Sequence, residues 1–233
     1  MLVLGIETAT WMGGVALADD NKGIVAEVNI NSPSSHSERL LPGIDRIFRE
    51  TGTMLKDCDG ICVSIGPGSF TGLRIGLATA KGLAFAAGKP MAGVSSLETL
   101  ALGIPLARMP ICPVIDARKG EVFACIFEWR GSELVSRTPE MVVSPEILME
   151  KITEPTILVG NGLIPYGAFF RQGLKEKAVF LTPPFNFPRA SVLAMRGMDR
   201  LSQGKGVGPE DLVPVYIRPS EAEINWRSSP RHR

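Results

Sequence analysis

Short apolar runs separated by turns open the chain. Residues 2–7 form an almost continuous apolar run that ends at Glu7, and residues 13–18 and 23–30 give two further runs. Runs of this length without helical spacing are typical of buried strands. The sequence therefore predicts three consecutive strands at the start of the chain, with an acidic side chain where the first strand ends.

A second opening of the same kind lies near the middle of the chain. Residues 111–116 form an apolar run ending at Asp116, and residues 122–129 follow after a short turn. Each opening precedes helical patterns and further strands. This recurrence predicts a duplicated α/β unit without obvious repetition of sequence.

Two helices stand out between the openings. Apolar residues in Ser37–Glu50 fall on one helical stripe, which predicts an amphipathic helix. The second helix, Thr71–Ala87, ends before Gly88 and contains three interior glycines, Gly72, Gly76 and Gly82. Each interior glycine costs about 1 kcal/mol relative to alanine. We therefore expect another backbone to approach this helix very closely.

The remaining pattern suggests three divisions of the chain. A first lobe is expected over residues 1–103, a second over 104–212 and an extended tail over 213–233. Further strands are predicted at 59–65, 156–159 and 179–181, and a helix of the second lobe at 190–203.

Composition limits the classes of partner. The chain has 233 residues, with 25 Lys and Arg against 24 Asp and Glu, a net charge of +1. This balance gives no electrostatic footprint for nucleic acid. Basic residues of the terminal segment, Arg227, Arg231 and Arg233, are interpreted as part of a frayed end.

The apolar segments also bear on location. No apolar run reaches the roughly 18 residues of a membrane span, and the start lacks the basic lead of a signal peptide. A cytoplasmic protein is therefore expected. The four cysteines lie mostly in apolar strand-like runs, so we expect reduced core residues rather than disulfides or metal ligands.

One stretch resembles the hallmark of a known family. Residues 66–74 read Gly-Pro-Gly-Ser-Phe-Thr-Gly-Leu-Arg, followed by Gly76 and by Lys-Gly-Leu-Ala at 81–84. Three further segments match, at residues 5–10, 36–42 and 216–223. On these residues the chain is similar to the bacterial TsaB family, also called YeaZ, and the similarity is strongest over residues 1–100.

The resemblance implies an actin-like ATPase (ASKHA) fold made of two ribonuclease-H-like lobes. It implies a non-catalytic scaffold that activates TsaD, which modifies N6 of a tRNA adenosine, and that recruits the ATPase TsaE. ATP and Mg²⁺ would be used by the partner complex, with no cofactor bound tightly by this chain. The tRNA would be contacted mainly through the complex, and a homodimer stays open as an alternative pairing.

The resemblance also implies that catalytic residues and a metal site are lacking. TsaD carries a His-x-x-x-His metal motif, and Ser96 and Leu100 stand at the corresponding positions here. Leucine has no ligand atom. The two histidines of the chain, His36 and His232, are far apart in sequence, so no cluster with ligand spacing is expected.

A nucleotide site is the alternative that the first turn leaves open. In actin-like ATPases this turn surrounds phosphate, and here Glu7, Thr8 and Thr10 supply an acid and two hydroxyls. The turn lacks a glycine, and Trp11 is bulky for a phosphate cradle. These residues are either a structural remnant or weak nucleotide contacts. In the second case the chain would be an ATPase or metabolite kinase active on its own.

Binding to another protein is the function that the two prominent helices favour. The resemblance implies that TsaB pairs with TsaD through these helices. The expected partner residues are His36, Ser37, Leu41 and Asp45 on the first helix, and Arg74, Ile75, Ala78, Thr79 and Gly82 on the second. The competing interpretation is that both helices pack wholly inside their own lobe.

Overall fold

The computed structural model describes residues 1–31 and 36–218. These residues form twelve strands and six α-helices. The strands are β1 Leu2–Glu7, β2 Met12–Asp19, β3 Gly23–Asn31, β4 Gly60–Gly66, β5 Met91–Ser95, β6 Ile111–Arg118, β7 Glu121–Ala124, β8 Phe127–Arg130, β9 Glu133–Ser136, β10 Met141–Val143, β11 Thr156–Val159 and β12 Ala178–Phe180. The helices are α1 His36–Thr51, α2 Phe70–Ala87, α3 Ser96–Leu102, α4 Pro145–Lys151, α5 Leu163–Leu174 and α6 Ala190–Ser202.

The first sheet has the strand order β3-β2-β1-β4-β5. The first three strands are antiparallel, while β4 runs parallel to β1 and β5 parallel to β4. Side chains of β1 alternate between the two faces. Leu4 and Ile6 pack with residues of α1 and α2, and Val3 packs with residues of α6. Thus α1 and α2 lie on one face of the sheet, and α6 lies on the other.

The second sheet repeats this plan. Its main order is β10-β7-β6-β11-β12, with β8 pairing with β6 and β9 beside β8. Strand β6 pairs antiparallel with β7 and parallel with β11, as β1 does with β2 and β4. The predicted two-lobed α/β architecture with a duplicated unit is therefore confirmed.

Helix α6 is in the predicted stretch of sequence but lies against a different sheet. It packs on the strands of the first sheet, whereas residues 190–203 were expected in the second lobe. Small residues permit this contact: a Cβ at Gly5 would lie 2.7 Å from Cβ of Ala194, and one at Gly197 would overlap Sγ of Cys62. The structure thus differs from the division at 104–212, because residues 190–202 complete the first core.

The expected strand at residues 122–129 is interrupted. It splits into β7 and β8 at Cys125 and Ile126, where the Ile126 amide donates to Oγ1 of Thr138 at 3.0 Å instead of continuing the ladder. The strands β5, β9 and β10 and the helices α3, α4 and α5 were not predicted from the sequence.

The cysteines are buried and unpaired, as expected. All four, Cys58, Cys62, Cys112 and Cys125, are free thiols inside the lobes. Burial raises the pKa of Cys62 to about 12, so this thiol is inert at neutral pH. In the described part of the chain, no helix combines the length and apolar character needed to span a bilayer.

Residues 212–218, which we name the strap, link the two lobes. Leu212 packs against the first core, and Ile217 packs against a core of the second lobe. Between them the Val215 amide donates to the carbonyl of Ile65 at 2.8 Å. Arg218 then donates to the carbonyl of Ala117 at 2.9 Å and pairs with Glu121. The predicted tail and the matched segment 216–223 extend beyond the described residues. His232 and the terminal arginines lie outside the described residues.

Candidate functional site

The turn between β1 and β2 packs against the start of α2. The Ser69 amide donates to the Ala9 carbonyl at 2.7 Å. A Cβ at Gly72 would overlap the carbonyl oxygen of Thr8, and one at Gly76 would overlap Oγ1 of Thr8. The predicted close approach of another backbone is confirmed for Gly72, whereas Gly76 makes room for the side chain of Thr8. The neighbour is the chain's own first turn, so neither glycine faces a partner.

The outer faces of α1 and α2 are adjacent and exposed. Predicted partner residues that are exposed are Ser37, Leu41, Asp45, Arg74, Ala78 and Gly82. Leu41 is 55% exposed, and Phe85, which the sequence analysis did not select, is 82% exposed. Gly82 has no heavy atom within 4 Å of its Cβ position, so nothing in the described chain explains this glycine. We name the set Ser37, Leu41, Asp45, Ala78, Gly82 and Phe85 the α1–α2 surface. Ile75 and Thr79 are half-buried beside it.

His36 is engaged within its own lobe. Its Nε2 donates to the Thr10 carbonyl at 2.8 Å, and its Nδ1 lies 3.0 Å from an Nη2 of Arg39. Since the carbonyl only accepts, the proton lies on Nε2 and Nδ1 accepts from Arg39. Burial lowers the pKa of His36, and the adjacent guanidinium lowers it further. His36 thus fixes the start of α1 to the first turn as a neutral side chain.

Arg74 is likewise held by the chain itself. Its Nε donates to the hydroxyl of Tyr216 at 3.0 Å, and its guanidinium carbon lies 3.9 Å from the ring centre of Phe70. The Phe70 and Tyr216 rings are 5.0 Å apart. Arg74 therefore ties α2 to the strap, although its side chain was expected to meet a partner.

A cleft of about 860 Å³ separates the two lobes. Its walls are the first turn, the start of α2, the end of β6 with its turn, and the strap. The two strand–turn–strand segments predicted at the start of each lobe thus meet across one cavity. A volume of this size is in the range of small-molecule sites.

The candidate nucleotide residues lie mostly beneath this cleft. Glu7 and Thr8 are fully buried and absent from its walls, whereas Thr10 is 3% exposed and lines it. Oε1 of Glu7 accepts from the Ala9 amide at 2.7 Å, but Oε2 has no partner, and neither has Oγ1 of Thr8. Burial raises the pKa of Glu7 to about 7.

This arrangement is a poor fit to Mg²⁺ and nucleotide. Glu7 is fully buried and does not line the cavity, so its carboxyl is not placed to bind a metal ion there. Asp116 is the acid that lines the cleft among the described residues. Its Oδ1 accepts from the Arg118 amide at 2.8 Å, and its Oδ2 lies 3.3 Å from the Arg118 guanidinium. Whether the chain binds nucleotide weakly stays a prediction.

The positions compared with the metal motif are buried in α3. The Ser96 hydroxyl lies 2.7 Å from that of Ser64, and Leu100 packs into a core of the second lobe. Across residues 1–31 and 36–218, no group of three His, Cys, Asp or Glu side chains could hold a metal ion.

The turn between β6 and β7, residues 117–120, which we name the second turn, adds two residues that were not selected from the sequence. Arg118 and Lys119 line the cleft with φ values of +62° and +55°. Such values are costly for residues with a Cβ and recur at functional sites. The signal in the sequence was the tight turn ending at Gly120, in which two cations occupy places that usually hold Asn or Gly.

The sequence is similar to those of known proteins over nearly its whole length. A family model described as TsaD, tRNA N6-adenosine threonylcarbamoyltransferase, matches residues 17–226. The tRNA threonylcarbamoyladenosine biosynthesis protein TsaB of Escherichia coli is 34% identical over 99% of this chain and 99% of its own. The protein of the same name from Bacillus subtilis is 30% identical over 99% of this chain and all of its own.

Solved structures agree with this similarity. YeaZ from Pseudomonas aeruginosa has a TM-score of 0.77 at 28% identity, covering 92% of this chain and all of its own. The ethanolamine utilization protein EutJ from Carboxydothermus hydrogenoformans is 12% identical to this chain and has a TM-score of 0.55. The latter likeness concerns the fold alone, which is that of the actin-like ATPases, as expected.

Proposed function

Because this chain belongs to the TsaB family, we propose that it acts in the biosynthesis of tRNA threonylcarbamoyladenosine as a non-catalytic partner of TsaD. The observation that carries this proposal is the match over nearly the full length of two TsaB proteins. A role in this pathway also accounts for the similarity to the TsaD family model. The alternative, an ATPase or metabolite kinase acting alone, is not favoured by these relatives.

The α1–α2 surface supports pairing with TsaD. The chain and its proposed partner share a fold, so the same helices on each can meet about a pseudo-twofold axis. Leu41 and Phe85 provide exposed apolar area, while Ala78 and Gly82 leave room for a second helix to approach. A second copy of this chain could use the same patch, which makes a homodimer the competitor of the heterodimer.

The residues at the metal-motif positions support a non-catalytic role. TsaD-like metal binding would need ligand atoms where this chain has Ser96 and Leu100. Both side chains are buried, and the Ser96 hydroxyl is hydrogen-bonded to that of Ser64. We therefore assign the transfer step to TsaD, with ATP and Mg²⁺ used by the complex and TsaE as a third partner. The chain would act by binding preferentially to the active conformation of TsaD.

Reconstitution tests the role directly. Purified tRNA, TsaD, TsaE, the adenylate-forming enzyme, ATP, threonine and bicarbonate would be combined with and without this chain. We expect modified tRNA only when the chain is present, and none from the chain alone. Equal product without the chain would contradict the proposal, and Mg²⁺-dependent ATP binding by the isolated chain would favour the alternative.

A matched pair of substitutions tests the surface. Ala78→Arg places a long cation on the outer face of α2, and Ala168→Arg makes the same change on the exposed part of α5. We expect the first variant to lose binding to TsaD in a titration and the second to bind as the parent does. Normal binding by the Ala78 variant would remove α2 from the interface.

A further inference from the structure

The strap runs along the flank of α2. Nζ of Lys81 donates to the carbonyl of Glu210 at 3.5 Å, just before the strap begins, and Nε of Arg74 donates to the hydroxyl of Tyr216 near its other end. Between these two contacts, Leu212 packs into the core on the face of the first sheet that α2 covers. The strap and the α1–α2 surface are therefore neighbours.

Apolar side chains of the strap are exposed to solvent. Val213 is 63% exposed and Val215 is 45% exposed. Tyr216 and Phe70, the first residue of α2, are 38% and 37% exposed, and their ring centres are 5.0 Å apart. Single exposed apolar side chains are ordinary, whereas neighbouring ones that form a patch are typical of interaction sites. We name these four residues the flank strip.

The aromatic end of the flank strip is held in place before any partner arrives. The guanidinium carbon of Arg74 lies 3.9 Å from the ring centre of Phe70 and 5.9 Å from that of Tyr216. Side chains that are already ordered lose little conformational entropy when a partner covers them. Aromatic side chains and arginine are also enriched in protein–protein interfaces. The two rings therefore provide a preformed apolar contact for another protein.

We propose that the strap is a third element of the TsaD-binding surface, beside α1 and α2. The proposal rests on the proposed function, which supplies TsaD as the partner. Ala78 and Gly82 leave room for a partner helix on the outer face of α2, and Ala78 lies between the two residues of α2 that contact the strap and its preceding turn. A helix with its side chains is about 10 Å across, so one that packs on Ala78 also covers the adjoining flank strip.

Docking at this place reaches both lobes of the chain. The Val215 amide donates to the carbonyl of Ile65 in the first lobe. Ile217 packs into a core of the second lobe, and Arg218 donates to the carbonyl of Ala117 in the second turn. TsaD held on the strap thus contacts the segment that links the lobes. Hydrogen exchange of the strap amides should therefore slow when TsaD binds.

The test compares two exposed apolar side chains of similar accessibility. Val213→Asp places a charge on the flank strip, and Ile164→Asp makes a similar change on α5, where the side chain is 60% exposed. Val213→Ala is a milder variant that adds no charge. Binding of each full chain to TsaD would be measured by titration calorimetry. Urea unfolding of each chain alone would show that the fold is intact.

We expect Val213→Asp to bind TsaD at least about tenfold more weakly than the parent, and Ile164→Asp to bind as the parent does. Val213→Ala should weaken binding by a smaller factor. The stability of the Val213 variants should stay close to that of the parent, because the side chain is mostly exposed.

The possible failures are distinguishable. Parent-like binding by both Val213 variants, while Ala78→Arg loses binding, would overturn the role of the strap and leave the proposed function intact. Strap amides that exchange equally fast with and without bound TsaD would contradict it as well. Failure of the parent chain to pair with TsaD would overturn both proposals. Loss of self-association by Val213→Asp in sedimentation, with normal binding to TsaD, would assign the flank strip to a second copy of this chain instead.

Discussion

Replacing Glu7 by glutamine should stabilise the folded chain at pH 8 and have much less effect at pH 5. The Glu7 carboxyl is fully buried, and one of its oxygens accepts a hydrogen bond from the Ala9 amide. Its other oxygen has no partner. Glutamine keeps the first bond and the shape of the side chain but carries no charge. The substitution therefore removes the cost of burying a carboxylate.

The magnitude follows from the pKa of Glu7. Burial raises it from 4.5 to about 7, so the folded state holds the proton more tightly than the unfolded state. Stability is then highest below pH 4.5 and falls as the pH rises towards 7, where the folded state must ionise. At 1.36 kcal/mol for each pKa unit, the loss approaches about 3 kcal/mol at pH 8 and stays below about 1 kcal/mol at pH 5.

Urea unfolding of the parent and variant at both pH values would measure this difference. Glu27→Gln is the matched control. Burial alone would raise the pKa of Glu27, but hydrogen bonds from Arg189 and Ser191 outweigh it and lower the pKa to about 2. That variant should be less stable than the parent by a similar amount at pH 5 and pH 8. An equal effect of Glu7→Gln at both pH values would refute the buried-charge explanation.

Three further predictions concern packing and the strap. Gly76→Ala should lower the free energy of unfolding by about 1–3 kcal/mol, because its Cβ meets Thr8, whereas Gly82→Ala should raise it by about 1 kcal/mol; chemical unfolding separates the two. Glu98→Ala should cost about 3 kcal/mol in the same assay, since Arg196 and Arg200 of α6 lose the carboxylate that they share. Arg218→Ala should speed hydrogen exchange of the strap amides while exchange in the first sheet stays slow, because one of the contacts that hold the strap to the second lobe is lost.

The buried strands were predictable because their signal is local. Residues 2–7 and 156–159 agree with β1 and β11 residue for residue, since such strands are apolar on both faces. Short strands such as Met141–Val143 have too few residues to show a period. Helix α4 carried an overlooked local signal, Ser144 before Pro145, and the Ser144 hydroxyl accepts from the amide of Ile147.

The arrangement of the site could not be predicted in the same way. Which sheet α6 joins is decided by close contacts of Gly5 and Gly197 with distant residues, and no local pattern records them. The cations at 39, 74, 118, 119 and 218 are scattered along the sequence, so only the fold reveals their shared cleft. Leu41 and Ala78, two of the expected partner residues, are exposed, but the partner residues themselves stay a prediction.

The return of α6 to the first sheet has a consequence for how the chain is made. Leu193, Ala194 and Met198 are at most 5% exposed and cover the face of the first sheet opposite α1 and α2. On the ribosome, strands β1 to β5 emerge long before these residues do. The nascent first lobe must therefore wait with one apolar face uncovered until synthesis passes residue 202. Its folding is coupled to that of the second lobe, and a fragment ending near residue 103 would need a chaperone or a substitute helix to stay in solution.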